Sequence, residues 1–216
     1  MIDVTPPADT EKPDATGPSQ GLTTDPSQSS RLLRGTTVWQ RFEESLWQYV
    51  GQPMFRVTFH NWYGIRRWLL RGFGATIHES ARIRPSVRIY HPWNLSVGAY
   101  TAIGDNAILF CVGTISIGNR CTISQYTHLC AAGYDYTRRE MPLVTDPIVV
   151  EDDVWLAADV FVGSGVTIGR DTVVGARSTV FHDLPPKSIC SGDNAVRRAE
   201  RVVIKDDLPK AGVLQK

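Results

Sequence analysis

The chain has 216 residues, 42% hydrophobic and 21% charged, with a formal net charge of +1. That length holds one domain or two small ones, with a core that needs no disulfide or metal staple. Near-neutral charge excludes bulk electrostatic attraction to nucleic acid or to an acidic membrane face.

Residues 1–32 open with "MIDVTPPADTEKPDATGPSQ" and are rich in Pro, Thr, Ser, Asp and Gly. They carry too little aliphatic surface to offset ordering entropy, so a disordered tail is expected. The stretch lacks the basic start and apolar run of a signal peptide, and no run reaches the ~18 apolar residues of a membrane helix. A soluble, cytoplasmic protein is the expectation.

Residues 33–75 change character and hold Trp39, Trp47, Trp62 and Trp68. Phe42, Leu46, Tyr49 and Val50 follow the i, i+4, i+7, i+8 spacing of an apolar helical stripe. Gly51 and Pro53 are predicted to end that helix. A second, Arg-rich helix is expected near Trp62 to Leu70.

From Ile77 onward the period becomes six. Ile77, Ile83, Ile89 and Leu95 lead; the frame slips by two to Val97, Ile103, Leu109 and Ile115, and again to Ile117, Ile123 and Leu129. After residues 128–150, "HLCAAGYDYTRREMPLVTDPIVV", the period resumes at Val150, Leu156, Val162, Ile168, Val174 and Val180. Four positions after these aliphatics stand small or β-branched residues: Val154, Val160, Val166, Thr172 and Ser178. Neither a helix at 3.6 nor a half-buried strand at 2 gives this spacing. An all-β solenoid of hexapeptide rungs does, since each rung buries one aliphatic and one small residue.

The expected organisation is a solenoid over 76–192, a loop extruded from it at 131–148, and a C-terminal tail at 193–216. Terminal coils of a solenoid expose apolar edges, so the aromatic segment 33–75 is predicted to cap the first one. Its rival role is an interfacial helix held on a membrane by Arg66, Arg67 and Arg71. The four cysteines, Cys111, Cys121, Cys130 and Cys190, show neither a CxxC pair nor a metal-finger spacing, and read as reduced, mostly buried thiols.

"LWQYV", "RRWLLRGFGATI", "HPWNLSVGAYTAIG", "SIGNRCTISQYTHLCAA", "DYTRREMPLVTDPIVVEDDVWLAADVFVGSGVTIG" and "VVGARSTVFHDLPP" occur in this order. Together they resemble the hexapeptide-repeat acyltransferase superfamily, and within it the colanic-acid or exopolysaccharide type of O-acetyltransferase. The resemblance implies a left-handed parallel β-helix, a homotrimer, and acetyl-CoA bound in the groove between neighbouring solenoids. It implies a saccharide acceptor, no metal and no nucleic acid.

Acetyl transfer to a hydroxyl needs a base for the proton, a donor for the thioester oxyanion, and both substrates in reach. In the family a loop histidine is the base and an asparagine one coil earlier positions substrate. Aligned on that pattern, this chain places Tyr134 at the base position, followed by Asp135, and Cys111 at or near the asparagine. An unperturbed tyrosine, with a pKa near ~10, is a poor base at neutral pH without a cation such as Arg138 or Arg139. His128, six residues earlier and outward on its rung, is the substitute, or else a packed surface histidine.

For CoA the resemblance implies Trp155, Ala157, Ala158, Gly163, Gly175 and Ala176, with Lys187, Arg197 and Arg198 for its phosphates. Each glycine is equally a rung corner, and each cation equally a solvated charge. Two readings stay open: an acetyltransferase, or a non-catalytic trimer that has lost its base. A zinc hydratase of the same fold would need three converging histidines, which His91 and His128 do not supply.

Overall fold

The computed structural model describes residues 31–32 and 38–203. The expected disorder of residues 1–30 falls outside them, as does the chain end from 204. From Thr76 the chain winds as a parallel β-solenoid, giving short strands to three sheets in turn. The first sheet begins at Thr76–Ile77, the second at Arg82–Ile83 and the third at Arg88–Tyr90. They hold five, seven and five strands respectively.

The sequence period becomes packing through register. Ile77 pairs with Val97 and Val97 with Ile117, while Val150 pairs with Ile168. Early coils therefore advance by twenty residues and later ones by eighteen. The aliphatic of every rung is buried and stacks on its equivalent one coil away. The small series, Val154, Val160, Val166, Thr172 and Ser178, is buried too and lets the chain turn close to the axis.

The frame slips lie at one corner, between the third sheet and the next strand of the first. From one inward residue to the next, this corner takes six positions in Ile89 to Leu95 and Leu109 to Ile115. It takes four in Val162 to Val166 and nineteen in Leu129 to Ile148, which is the extruded loop. Leu95, Ile115 and Ile148 stay aligned, so the surplus leaves the solenoid without disturbing the core.

The first coil has open strand edges, and the segment before it closes them. Here α1 (Val38–Leu46) runs through a π-helical turn (Trp47–Gly51) into α2 (Gln52–Arg56), followed by α3 (Tyr63–Gly72). The cap reaches edge carbonyls with side chains. Trp47 Nε1 donates to Ile89 O (2.6 Å), Arg66 Nε to Ile83 O (2.8 Å), Arg67 Nη1 to Ala81 O (3.1 Å) and Arg71 Nη2 to Ile77 O (2.6 Å). Gln52 donates to Val87 O and accepts from the Ile89 amide. Arg66 is fully buried, and its remaining donors go to Thr58 Oγ1, Phe59 O and His60 O. Burial pushes its pKa down, yet four oxygens hold the charged form.

Three expectations change. Gly51 and Pro53 do not end the first helix. The π turn lets the Gln52 amide reach Trp47 O five residues back, and the chain passes its proline near a helix start, where the missing N–H is harmless. The buried stripe is Trp47, Gly51 and Phe55, whereas Phe42, Leu46, Tyr49 and Val50 are exposed. The expected tails are partly structured: Val196–Glu200 pairs antiparallel with Ser188–Ser191 at the far end of the second sheet, and Arg31–Leu32 pairs with Leu143–Thr145 of the loop. Free strand edges recruited both.

Gly51 gives a prediction of sign. A Cβ there would lie 2.2 Å from the Trp47 ring. Gly→Ala inside a helix ordinarily stabilises by up to ~1 kcal/mol. Gly51→Ala is expected instead to destabilise by about 1–3 kcal/mol, read as a lower guanidinium midpoint; a raised midpoint refutes the packing described.

Candidate active site

The loop leaves the third sheet after Cys130. Gly133–Tyr134 turns back on Leu143–Thr145 as an antiparallel pair. Tyr134 stands on this pair and is exposed. Asp135 accepts hydrogen bonds from the Thr137 amide and hydroxyl and pairs with Arg138 at 3.2 Å. Those hydroxyl and amide bonds, with the Arg138 charge, hold its carboxyl below the usual range. Asp135 is thus the turn residue of the loop, and Arg138 pairs with it.

Cys111 is not at the surface. It is fully buried, its thiol donates to Leu109 O at 3.4 Å, and burial pushes its pKa far up. A substrate contact at this position is therefore corrected: the corner turns its side chain inward, and the thiol is a core group. Asn94, on the coil before, donates to Cys111 O and Val112 O, tying the two corners together.

His128 faces outward on the third sheet, half-buried, with its ring edge-on to Phe161 at 5.3 Å. Desolvation lowers its pKa, so the imidazole is neutral at pH 7. Its surroundings are apolar. Arg88, Ile108, His128, Phe161 and Thr179 form one outward column in register, and Tyr90, Phe110 and Cys130 the next.

The loop leaves one edge of this sheet, and a cleft of about 370 Å³ opens at the other. Tyr126, Ala158, Asp159, Ala176 and Arg177 line it, at the corner between second and third sheets. Tyr126, Asp159 and Arg177 all have φ near 60°, so three successive corners repeat one left-handed turn. Ala158 and Ala176, predicted for the cofactor, come together here, and Ala157 and Gly175 precede them on the chain.

The other predicted positions divide. Trp155 is exposed on the second sheet and donates from its indole to Ser124 Oγ at 3.1 Å. Gly163 does not reach the cleft; it is buried, and a Cβ would lie 2.8 Å from the Phe181 ring. Lys187 sits at the corner between first and second sheets, beside Arg170, away from Ala158 and Ala176. Arg197 pairs with Cys190 on the terminal strands. Arg177, at the cleft itself, escaped the sequence reading because only the corner geometry distinguishes it from other surface arginines. Among the described residues no group of three His, Cys, Asp or Glu could hold a metal ion.

The bacterial transferase hexapeptide (six repeats) pattern matches residues 147–182. WcaF of Escherichia coli (strain K12), named as a colanic acid biosynthesis acetyltransferase, is 45% identical over 157 residues, 73% of this chain and 86% of WcaF. The chain belongs to the hexapeptide-repeat acetyltransferases. Its solenoid is accordingly the left-handed parallel β-helix. Galactoside O-acetyltransferase of E. coli is 28% identical over 59% of this chain and 64% of its own length. The hexapeptide-repeat acetyltransferase VCA0836 of Vibrio cholerae, solved with acetyl coenzyme A, superposes with a TM-score of 0.70 at 26% identity. That superposition covers 79% of this chain and 93% of the other.

The histidines predict a pH response. Burial lowers the pKa of both His91 and His128 below the ordinary 6.5. The unfolded chain then binds more protons than the folded one as pH falls below about 6.5, so stability rises with pH there. Denaturation between pH 7.5 and 5.5 is expected to show this loss, with a shallower slope in His128→Phe; an unchanged slope refutes the depressed His128 pKa.

Proposed function

We propose that the protein transfers an acetyl group from acetyl-CoA to a saccharide hydroxyl, in exopolysaccharide biosynthesis, as a homotrimer. The observation that carries this is the third sheet: an outward face with neutral His128 between Ile108 and Phe161, the loop at one edge and the Ala158–Ala176 cleft at the other. Side-by-side packing about a threefold axis covers such faces and brings one copy's loop toward its neighbour's cleft. The alanines leave room for a pantetheine arm beside the backbone, and Arg177, 3.6 Å from Asp159 Oδ2, would have to exchange that carboxylate for a phosphate.

In this reading His128 takes the proton from the acceptor hydroxyl as its oxygen bonds to the acetyl carbon. The carbon–sulfur bond breaks, and the CoA thiolate recovers the proton. A lowered pKa keeps the imidazole free to accept. Tyr134 borders the acceptor and does not serve as base, because Arg138 is engaged by Asp135.

CoA-thiol release with galactosyl and glucosyl acceptors tests the reading. His128→Ala is expected to lower kcat at least 100-fold, and Ala158→Trp to raise the acetyl-CoA KM at least 10-fold. The second reading, a non-catalytic trimer, is favoured by Tyr134 in the base position. Wild-type silence with activity restored in Tyr134→His would establish it.

The cap gives the trimer a surface for a membrane. Val38, Val57, Phe59, Trp62 and Trp68 are exposed on it, aromatic and apolar side chains of the kind that settle at lipid interfaces. Arg66, Arg67 and Arg71 are engaged on carbonyls, so apolar insertion rather than charge drives this contact. Binding to phosphatidylcholine vesicles that survives ~0.5 M salt and is lost in Trp62→Ser/Trp68→Ser is the expected outcome; no vesicle binding by wild type removes this contact.

A further inference from the structure

Between the cap and the first coil lies an open hollow of about 270 Å³ that the transfer chemistry does not use. Glu44, Gln48 and Tyr49 line it from the cap, and Tyr90 and His91 from the solenoid. His91 Nε2 lies 3.4 Å from Glu44 Oε1, and its ring stacks on Trp93 with centroids 5.1 Å apart at 14°. Tyr90 is braced edge-on against Phe110. His91 is held at φ 49° directly before Pro92, a left-handed position uncommon for residues other than glycine.

The lining selects a ligand class. Aromatic faces beside a carboxylate, an imidazole and an amide suit a pyranose, with apolar C–H faces and hydroxyls around its rim. The Glu44 carboxylate repels phosphates, which disfavours nucleotides and CoA. The volume lies near the lower limit of small-molecule pockets, about 300 Å³, and so takes a sugar unit rather than a long chain.

Register fixes its relation to the loop. Tyr90, Phe110 and Cys130 stack on three successive coils, with His91 following the first and the loop the third. At ~4.8 Å per strand, the cavity lies about 10 Å from the root of the loop, roughly two pyranose lengths. We propose that this cavity is a second saccharide subsite, gripping a neighbouring unit of the acceptor, so that the substrate is an oligosaccharide. This deepens the proposed function and rests on it.

Calorimetric titration with galactose, galactobiose and galactotriose, and with glucose, maltose and maltotriose, tests the subsite alongside CoA-release assays. Wild type is expected to bind the trisaccharide of one series at least about 10-fold tighter than its monosaccharide. Glu44→Gln and Tyr49→Ala should each erase that difference with the melting temperature unchanged; Tyr49 is 79% exposed and replaceable without unfolding. Equal affinity for all lengths in wild type, or a length preference surviving both substitutions, overturns the subsite even if acetyl transfer proceeds. Length-dependent binding erased by both variants, without CoA release from wild type, upholds the subsite and removes the transferase reading.

Discussion

The open edge of the first coil is the constraint on which the rest of the molecule depends. A solenoid satisfies each coil's backbone from the next, and the first has no predecessor. Here the missing partner is a set of side chains. Trp47, Gln52, Arg66, Arg67 and Arg71 bond the carbonyls of residues 77 to 89. Guanidinium groups suit the task, since one can serve several carbonyls, as Arg66 does for three. An edge stopped by helices also cannot pair with another chain's strand.

Beyond that stop each coil takes its register from pairing with the coil before it. Alignment of Ile89, Leu109 and Leu129 carries the third sheet from the cap to the loop. It also gives the sheet two distinct edges, the loop and the cleft, with His128 between them. One edge can vary in length. The other repeats the same left-handed turn from Tyr126 to Arg177, so its small residues form a continuous cleft rather than isolated gaps.

The solenoid was legible because its core has a strict period, and every aliphatic the spacing named is buried. The cap was legible only in outline. Its apolar residues outnumber what its inward face can hold, so composition could not tell Trp47 and Phe55, buried, from Tyr49 and Phe42, exposed. The π turn hid the correct face further, by shifting phase at Gly51. In the site, Ala158 and Ala176 were named by the family resemblance alone, and corners eighteen positions apart bring them to one cleft. Cys111 was misplaced because one residue of a corner points in and the next out, and alignment resolves no finer. The pairing of Asp135 with Arg138 leaves no trace in the sequence beyond proximity.

The corner that releases the loop carries a consequence for how this chain can change. Its surplus differs from coil to coil while Leu95, Ile115 and Ile148 remain stacked, so loop length and composition are uncoupled from folding. Residue 134 lies outside the core and bears on no rung. Tyr134 is exposed on the loop pair, so a substitution there removes no core contact. The loop corner is thus a place where the sequence can vary while the stacked core of the described residues keeps its register.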